Sequence, residues 1–149
     1  MVFKINLSEK NGKTFKIESD SEGIIGKSLR DKVSGIEISP ELNGYEFEIT
    51  GASDIAGFPS IENVEGVGLK KVLLEFGDKG MKKRPKKEGK KKRSKNRPKG
   101  LRLRKTVRGK TISTSMVQIN MKVIKEGDKK LSEIFPEQNK AKEAKTETA

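Results

Sequence analysis

The chain has 149 residues, with 34 Lys or Arg against 21 Asp or Glu, a formal net charge of +13, and neither His nor Cys. Lacking both, it can form no disulfide, thiolate or imidazole metal site, cysteine nucleophile or His-based acid–base pair, which leaves carboxylate, Lys, Ser, Thr and Tyr for any chemistry. No run approaches the roughly 18 consecutive apolar residues of a spanning helix, and the opening MVFKINLSEK lacks the apolar stretch of a signal peptide, so the expectation is a cytoplasmic chain with no membrane partner.

In chain order, the first elements read as strands. Phe3, Ile5 and Leu7 alternate with polar or exposed-type neighbours, and Phe15 and Ile17 are separated by Lys16. A period of two with one polar face is what a half-buried strand requires. Asn11 and Gly12 between them suit the positive φ of a tight hairpin turn. The stretch SLRDKV predicts a helical turn. Tyr45, Phe47 and Ile49 then alternate with Glu46, Glu48 and Thr50, and Val117, Ile119, Met121 and Val123 alternate with Gln118, Asn120 and Lys122, so the late segment should return to complete the sheet. LSEIF before Pro136 predicts a brief helix, and the polar remainder of the tail is expected to be disordered.

Short strands, frequent turns and 15 glycines predict an all-β fold, a small closed or partly open antiparallel β-barrel with a basic extended arm and a short, helical or disordered C-terminal tail. The expected organisation is one barrel domain over residues 1–127, including an arm at 79–110, and a polar tail over 128–149.

Charge is not spread evenly. Residues 79–110 hold 18 Lys or Arg and a single acid, Glu88, for +17, which leaves the other 117 positions at −4. Only Met81, Leu101, Leu103 and Val107 are apolar in that window, too few to offset chain entropy, so much of it should be disordered when free. A like-charge block on a mildly acidic body marks a segment that meets a polyanion. Membrane is the weaker partner, because from Lys82 to Gly100 the only apolar groups are prolines and lysine stems, whereas a membrane-surface helix needs bulky apolar residues on one face. Nucleic acid remains. A general DNA-compacting protein fits the charge alone equally well.

The arm divides by mechanism. Lys82, Lys83, Arg84, Lys86, Lys87, Lys90, Lys91, Lys92, Arg93, Lys95, Arg97 and Lys99 are interrupted by Pro and Gly and suit an extended segment along phosphates. From Leu101 onward apolar residues alternate with Arg. As a strand, this segment would turn Leu101, Leu103 and Val107 inward and Arg102, Arg104 and Arg108 outward, and those three with Lys105 and Lys110 are the candidates for ordered nucleic-acid contacts. The absence of aromatic residues argues against base stacking as the main mode.

The loop GASDIAGFP follows the best-patterned strand. Gly51 and Gly57 would supply unusual backbone angles, Ser53 or Asp54 would bond nearby backbone, and Phe58, before Pro59, would plug the barrel mouth. As a catalytic carboxylate Asp54 would need a converging second group, and the sequence compels none. GVGLKK lacks the spacing and ending of a phosphate-binding P-loop.

Two motifs in order, with the basic segment between them, carry a family likeness. Ile49, Thr50, Gly51, Ser53, Asp54, Gly57, Phe58 and Pro59 form the first. Val107, Arg108 and Gly109, followed by Thr111, Ile112, Ser113 and the strand of Gln118, Ile119 and Asn120, form the second. Over about residues 1–127 the chain resembles the e-type small-subunit ribosomal protein six family of archaea and eukaryotes. It departs at Ala52, where the family usually has Gly, and at Ser60, where it usually has Met. The resemblance implies a structural, non-catalytic protein without cofactors, bound to small-subunit rRNA, in contact with neighbouring ribosomal proteins and not expected to form a homo-oligomer. The long basic helix with phosphorylated serines that ends eukaryotic members has no counterpart in the nearly neutral tail ending at Ala149.

Overall fold

The computed structural model describes residues 2–81 and 100–138. Its elements are strands β1 (Phe3–Ser8), β2 (Thr14–Ser19), β3 (Lys32–Ser34), β4 (Glu46–Asp54), β5 (Leu69–Glu75), β6 (Arg102–Arg108) and β7 (Met116–Lys125), and a one-turn helix α1 (Leu131–Ile134), with three short 3-10 turns between β2 and β4. The alternating segments become strands because each can bury one face and wet the other. Phe3, Ile5 and Leu7 of β1, Phe15 of β2, Phe47 and Ile49 of β4 and Ile119, Met121 and Val123 of β7 all fall in one apolar cluster.

The strands form a five-stranded sheet in the order β2-β1-β7-β4-β3 and a separate two-stranded ribbon of β5 and β6. β7 lies at the centre, parallel to β1 and antiparallel to β4. The late segment thus returns to the sheet as expected, but the sheet is mixed and its ends, β2 and β3, are not paired with each other, so the described strands form an open sheet and not a closed antiparallel barrel. The reason lies in the chain path: a hairpin joins β1 to β2 on one flank, and β7 enters on the other flank of β1 after a long excursion.

Local differences have local causes. Gly12 takes φ +87°, but the hairpin turn is wider than two residues, closed by Glu9 N–H to Lys13 O at 2.9 Å with the Asn11 side chain accepting from Lys13 N–H at 2.9 Å. SLRDKV forms no helical turn. Arg30 takes φ +76° there, the only non-glycine among the described residues to do so, and residues 32–34 pair with β4. On β7 a bulge between the Ser53 and Asp54 pairings makes Met116, not Val117, the buried residue at the strand's start.

The tail packs on the sheet as far as Gln138. Leu131 is fully buried, Ile134 and Phe135 pack on the main core, and the Phe135 ring lies 6.1 Å from that of Phe15. The Gln138 carboxamide accepts from Lys16 N–H and donates to Lys16 O, both at 2.7 Å. It thereby occupies the edge of β2 as a paired strand would.

Candidate nucleic-acid interface

The ribbon is built by β5 and β6 in the register Leu69↔Arg108, Lys71↔Thr106, Leu73↔Arg104 and Glu75↔Arg102, which sets these eight residues on one face. The opposite face carries Lys70, Val72 and Leu74 of β5 and Leu103, Lys105 and Val107 of β6. That second face closes over a small apolar cluster of Val64, Leu74, Met81 and Val107, with Ile61, Val72 and Leu101 at its margin. Val107 is fully buried, and Leu101 packs as predicted. Leu103, expected inward, is exposed although it pairs with the buried Leu74.

The candidate cations part company here. Arg102 and Arg104 are exposed on the outer face, and Arg102 Nε meets Glu75 Oε1 at 2.8 Å in a solvent-exposed pair. Among the described residues no ion pair engages Arg104. Lys105 lies on the cluster side and is partly buried, and Lys110 reaches Glu65 at 3.4 Å. The twelve candidates from Lys82 to Lys99 lie outside the described residues.

Arg108 does not point outward. Its Nε donates to Asp54 Oδ2 at 2.8 Å and its Nη1 to Val67 O at 3.3 Å, and the pair is shielded, with side chains 17% and 3% exposed. Asp54 Oδ1 accepts from Phe58 N–H at 2.9 Å, so one carboxylate both closes its own loop and holds the ribbon. Burial pushes the Asp54 carboxyl up, but the Arg108 hydrogen bond, the Phe58 and Ala56 N–H groups and the Arg108 charge outweigh it, and the group stays below the ordinary carboxylate range. The expected backbone-bonding role of Asp54 is present. Its ion pair with Arg108 joins the two sequence motifs, a contact that the sequence reading missed although each motif carries one of the opposite charges.

Backbone contacts reinforce this joint. Arg108 N–H donates to Pro59 O at 2.9 Å, Ile61 N–H to Arg108 O at 3.1 Å, and Ser60 N–H to Ala52 O at 2.9 Å, so residues 59–61 run between β4 and β6. Gly109 approaches the backbone so closely that an added Cβ would stand 1.9 Å from Gly66 O. Gly57 takes φ +84°, as anticipated, whereas Gly51 lies in β4 at a bulge and has no left-handed φ. Phe58 is half-buried and belongs to neither apolar cluster, so it is not a core plug; the turn closed by Asp54 leaves its ring at the edge of the loop.

A second group of charges ties the turn before β3 to the ribbon base. Arg30 donates to Glu48 at 3.1 Å and Glu62 at 3.0 Å, Lys79 pairs with Glu62 at 2.8 Å, and Lys122 with Glu48 at 2.9 Å. Hydrogen bonds from Lys122 and Arg30 hold Glu48 below the usual range, and Lys79 does the same for Glu62. These acids serve cations already in place. No group of three or more acidic residues among the described ones could hold a metal, and no helix among them is long and apolar enough to cross a membrane.

The molecule is thus an open β-sheet carrying a cationic β-ribbon pinned to it by the Asp54–Arg108 pair. The model of the family "Ribosomal protein S6e" matches residues 3–98 and 94–136, and the chain belongs to that family. It is 38% identical over 138 residues to the small ribosomal subunit protein eS6 of Nanoarchaeum equitans, covering 91% of each chain. It is 38% identical over 128 residues to that of Methanococcus maripaludis strain C5, with 85% of this chain and 90% of the relative covered. The protein of the same name from Methanosphaera stadtmanae is 37% identical over 146 residues, 96% of this chain and 99% of the relative.

Proposed function

We propose that this chain is a structural constituent of the small ribosomal subunit, without catalytic activity, and that it binds rRNA through the Lys/Arg-rich segment between β5 and β6. The observation that carries the reading is the coincidence of family and charge: relatives named for the small ribosomal subunit align over most of the chain, and the +17 block runs from the connection between the ribbon's strands through β6. Flexible ammonium groups hold phosphates as point charges, and guanidinium forks add geometry where the backbone fixes them. Arg102 and Arg104 have that fixed backbone. Neighbouring ribosomal proteins are the further partners.

Fractionation of a cell lysate tests the assignment, with the chain expected to sediment with small ribosomal subunits. Sedimentation with the nucleoid instead would favour a DNA-compacting protein. Within the arm, Lys90, Lys91 and Lys92 changed to Gln should flatten the dependence of log affinity on log salt by about 2 while leaving selectivity for cognate over bulk RNA unchanged. Arg102→Lys with Arg104→Lys should instead lower selectivity, because charge is kept and the planar fork is lost.

A further inference from the structure

The outer face of the ribbon holds two leucines that the fold does not use. Leu69 and Leu73 are 49% and 56% exposed, on the same side of β5 and about 14 Å apart along the strand, with Lys71 between them. Directly across, β6 sets Arg104 beside Leu73, and Thr106 lies opposite Lys71. The one acid on this face, Glu75, is occupied by Arg102 in an exposed pair of the kind that contributes little and exchanges readily for a phosphate. Neither leucine belongs to an apolar cluster of the fold; at the end of this face Arg108, opposite Leu69, is held against the body by Asp54. The arm's own sequence is a poor cover as well: from Lys82 to Lys99 it has no apolar side chain except proline, and its cations would be repelled by those on the ribbon.

We infer that this face, with Leu69 and Leu73 set among Lys71, Arg104 and Arg102, docks in the shallow minor groove of a double-helical RNA segment. This rests on the rRNA-binding reading above. An A-form helix presents a wide, shallow minor groove of ribose edges and 2′-hydroxyls, bordered by two phosphate strands. The leucines suit the carbon-rich ribose edges, and the flanking cations suit the phosphates. Thr106 can exchange hydrogen bonds with a 2′-hydroxyl. A protein partner would explain the leucines but not a face whose charged groups other than Glu75 are all cationic. The ribbon would thus add recognition of duplex shape to an arm that by itself discriminates little.

The test is binding of the full chain to a short RNA duplex and to a DNA duplex of the same sequence, over a range of salt concentrations. The native chain should prefer RNA. Leu69→Ser with Leu73→Ser should weaken RNA binding about tenfold, leave DNA binding and the salt slope unchanged, and so erase the preference. Lys71→Gln with Arg104→Gln should reduce the slope on the RNA duplex by about 1.8. All four positions are exposed or at the ribbon surface, and thermal melts should show every variant folded; if the leucine pair unfolds, the Lys71/Arg104 pair still decides. Native-like RNA preference in both sets of variants would overturn the inference while leaving arm-mediated binding standing. So would a leucine variant that keeps its RNA affinity yet no longer sediments with small subunits, which would assign the face to a protein. A native chain that binds neither duplex in a salt-dependent way would take down both readings.

Discussion

In the five-stranded sheet, Phe3, Ile5 and Leu7 of β1 lie at or below 1% exposure, and Phe47, Ile49, Ile119 and Met121 across from them do the same. On the ribbon, Leu74 and Val107 are buried while Leu69, Leu73 and Leu103 stay largely exposed. Both regions are strands with a period of two, but only the sheet has enough apolar surface to close a core on its own. The ribbon is held by a small cluster and by one shielded ion pair at its root, which leaves a face free. The sheet's apolar residues explain stability, and three of the ribbon's are left outside its small cluster.

The largest effect should come from the sheet. Phe47→Ala removes a fully buried ring and should cost about 3 to 5 kcal/mol, read as a lowered denaturation midpoint. Leu73→Ala on the ribbon should stay within about 0.5 kcal/mol, as an exposed position allows. Similar losses at the two positions would erase the distinction between the regions.

Next comes the joint between them. Asp54→Ala leaves the shielded Arg108 guanidinium without its partner and should cost about 3 kcal/mol, the low end for a buried pair because Arg108 keeps some exposure. The pair also sets an acid limit. Since the folded Asp54 pKa is depressed, its stabilisation is complete above the unfolded value of about 3.9 and is lost as pH falls through the lower folded value. The gap in melting temperature between the native chain and Asp54→Asn should therefore be constant near neutral pH and shrink below about pH 4. A gap that widens in acid would contradict this role.

Two smaller effects sharpen the account of the loop. Phe58→Ala should cost only about 1 to 2 kcal/mol, in keeping with a half-buried ring outside both clusters. Ala52→Gly should destabilise by about 0.5 to 1 kcal/mol: Ala52 lies in β4 opposite Ile119 with no left-handed φ, so Gly would add backbone freedom and remove a buried methyl. A stabilised Gly variant in thermal melts would mean that the turn at this position differs from the strand described.

The sheet was legible in sequence wherever one face is buried and the other wet. β1, β2, β4 and β7 satisfy that, and their alternation is plain. β5 escaped because its pattern is broken: Lys70 and Lys71 are adjacent charges, Leu73 and Leu74 adjacent leucines, and the strand buries only part of one face. β3 escaped because three residues carry no period, and Arg30 with its left-handed φ has no glycine to announce it. The shift from Val117 to Met116 depends on a bulge, which is a property of the pairing and not of either strand. Sheet closure, parallel pairing of β1 with β7, and the reach of Arg108 to Asp54 across 54 positions all depend on chain path, which local periodicity does not encode. The cationic character of the ribbon was legible from charge density. The division of the ribbon's cations was not, since it takes the register and the ion pairs to show Arg104 in no ion pair among the described residues, Lys105 turned to the cluster and Arg108 committed to the fold.

The central claim is that a stable β-body presents a cationic segment to RNA phosphates, and the salt dependence of binding tests it most directly. The affinity of the full chain for small-subunit rRNA should be measured over a series of salt concentrations. With about eight charges neutralising phosphates, the slope of log affinity on log salt should be roughly −6, at about −0.7 per contact. A slope near zero with the protein folded would show that the basic segment is not the binding element and would contradict the account.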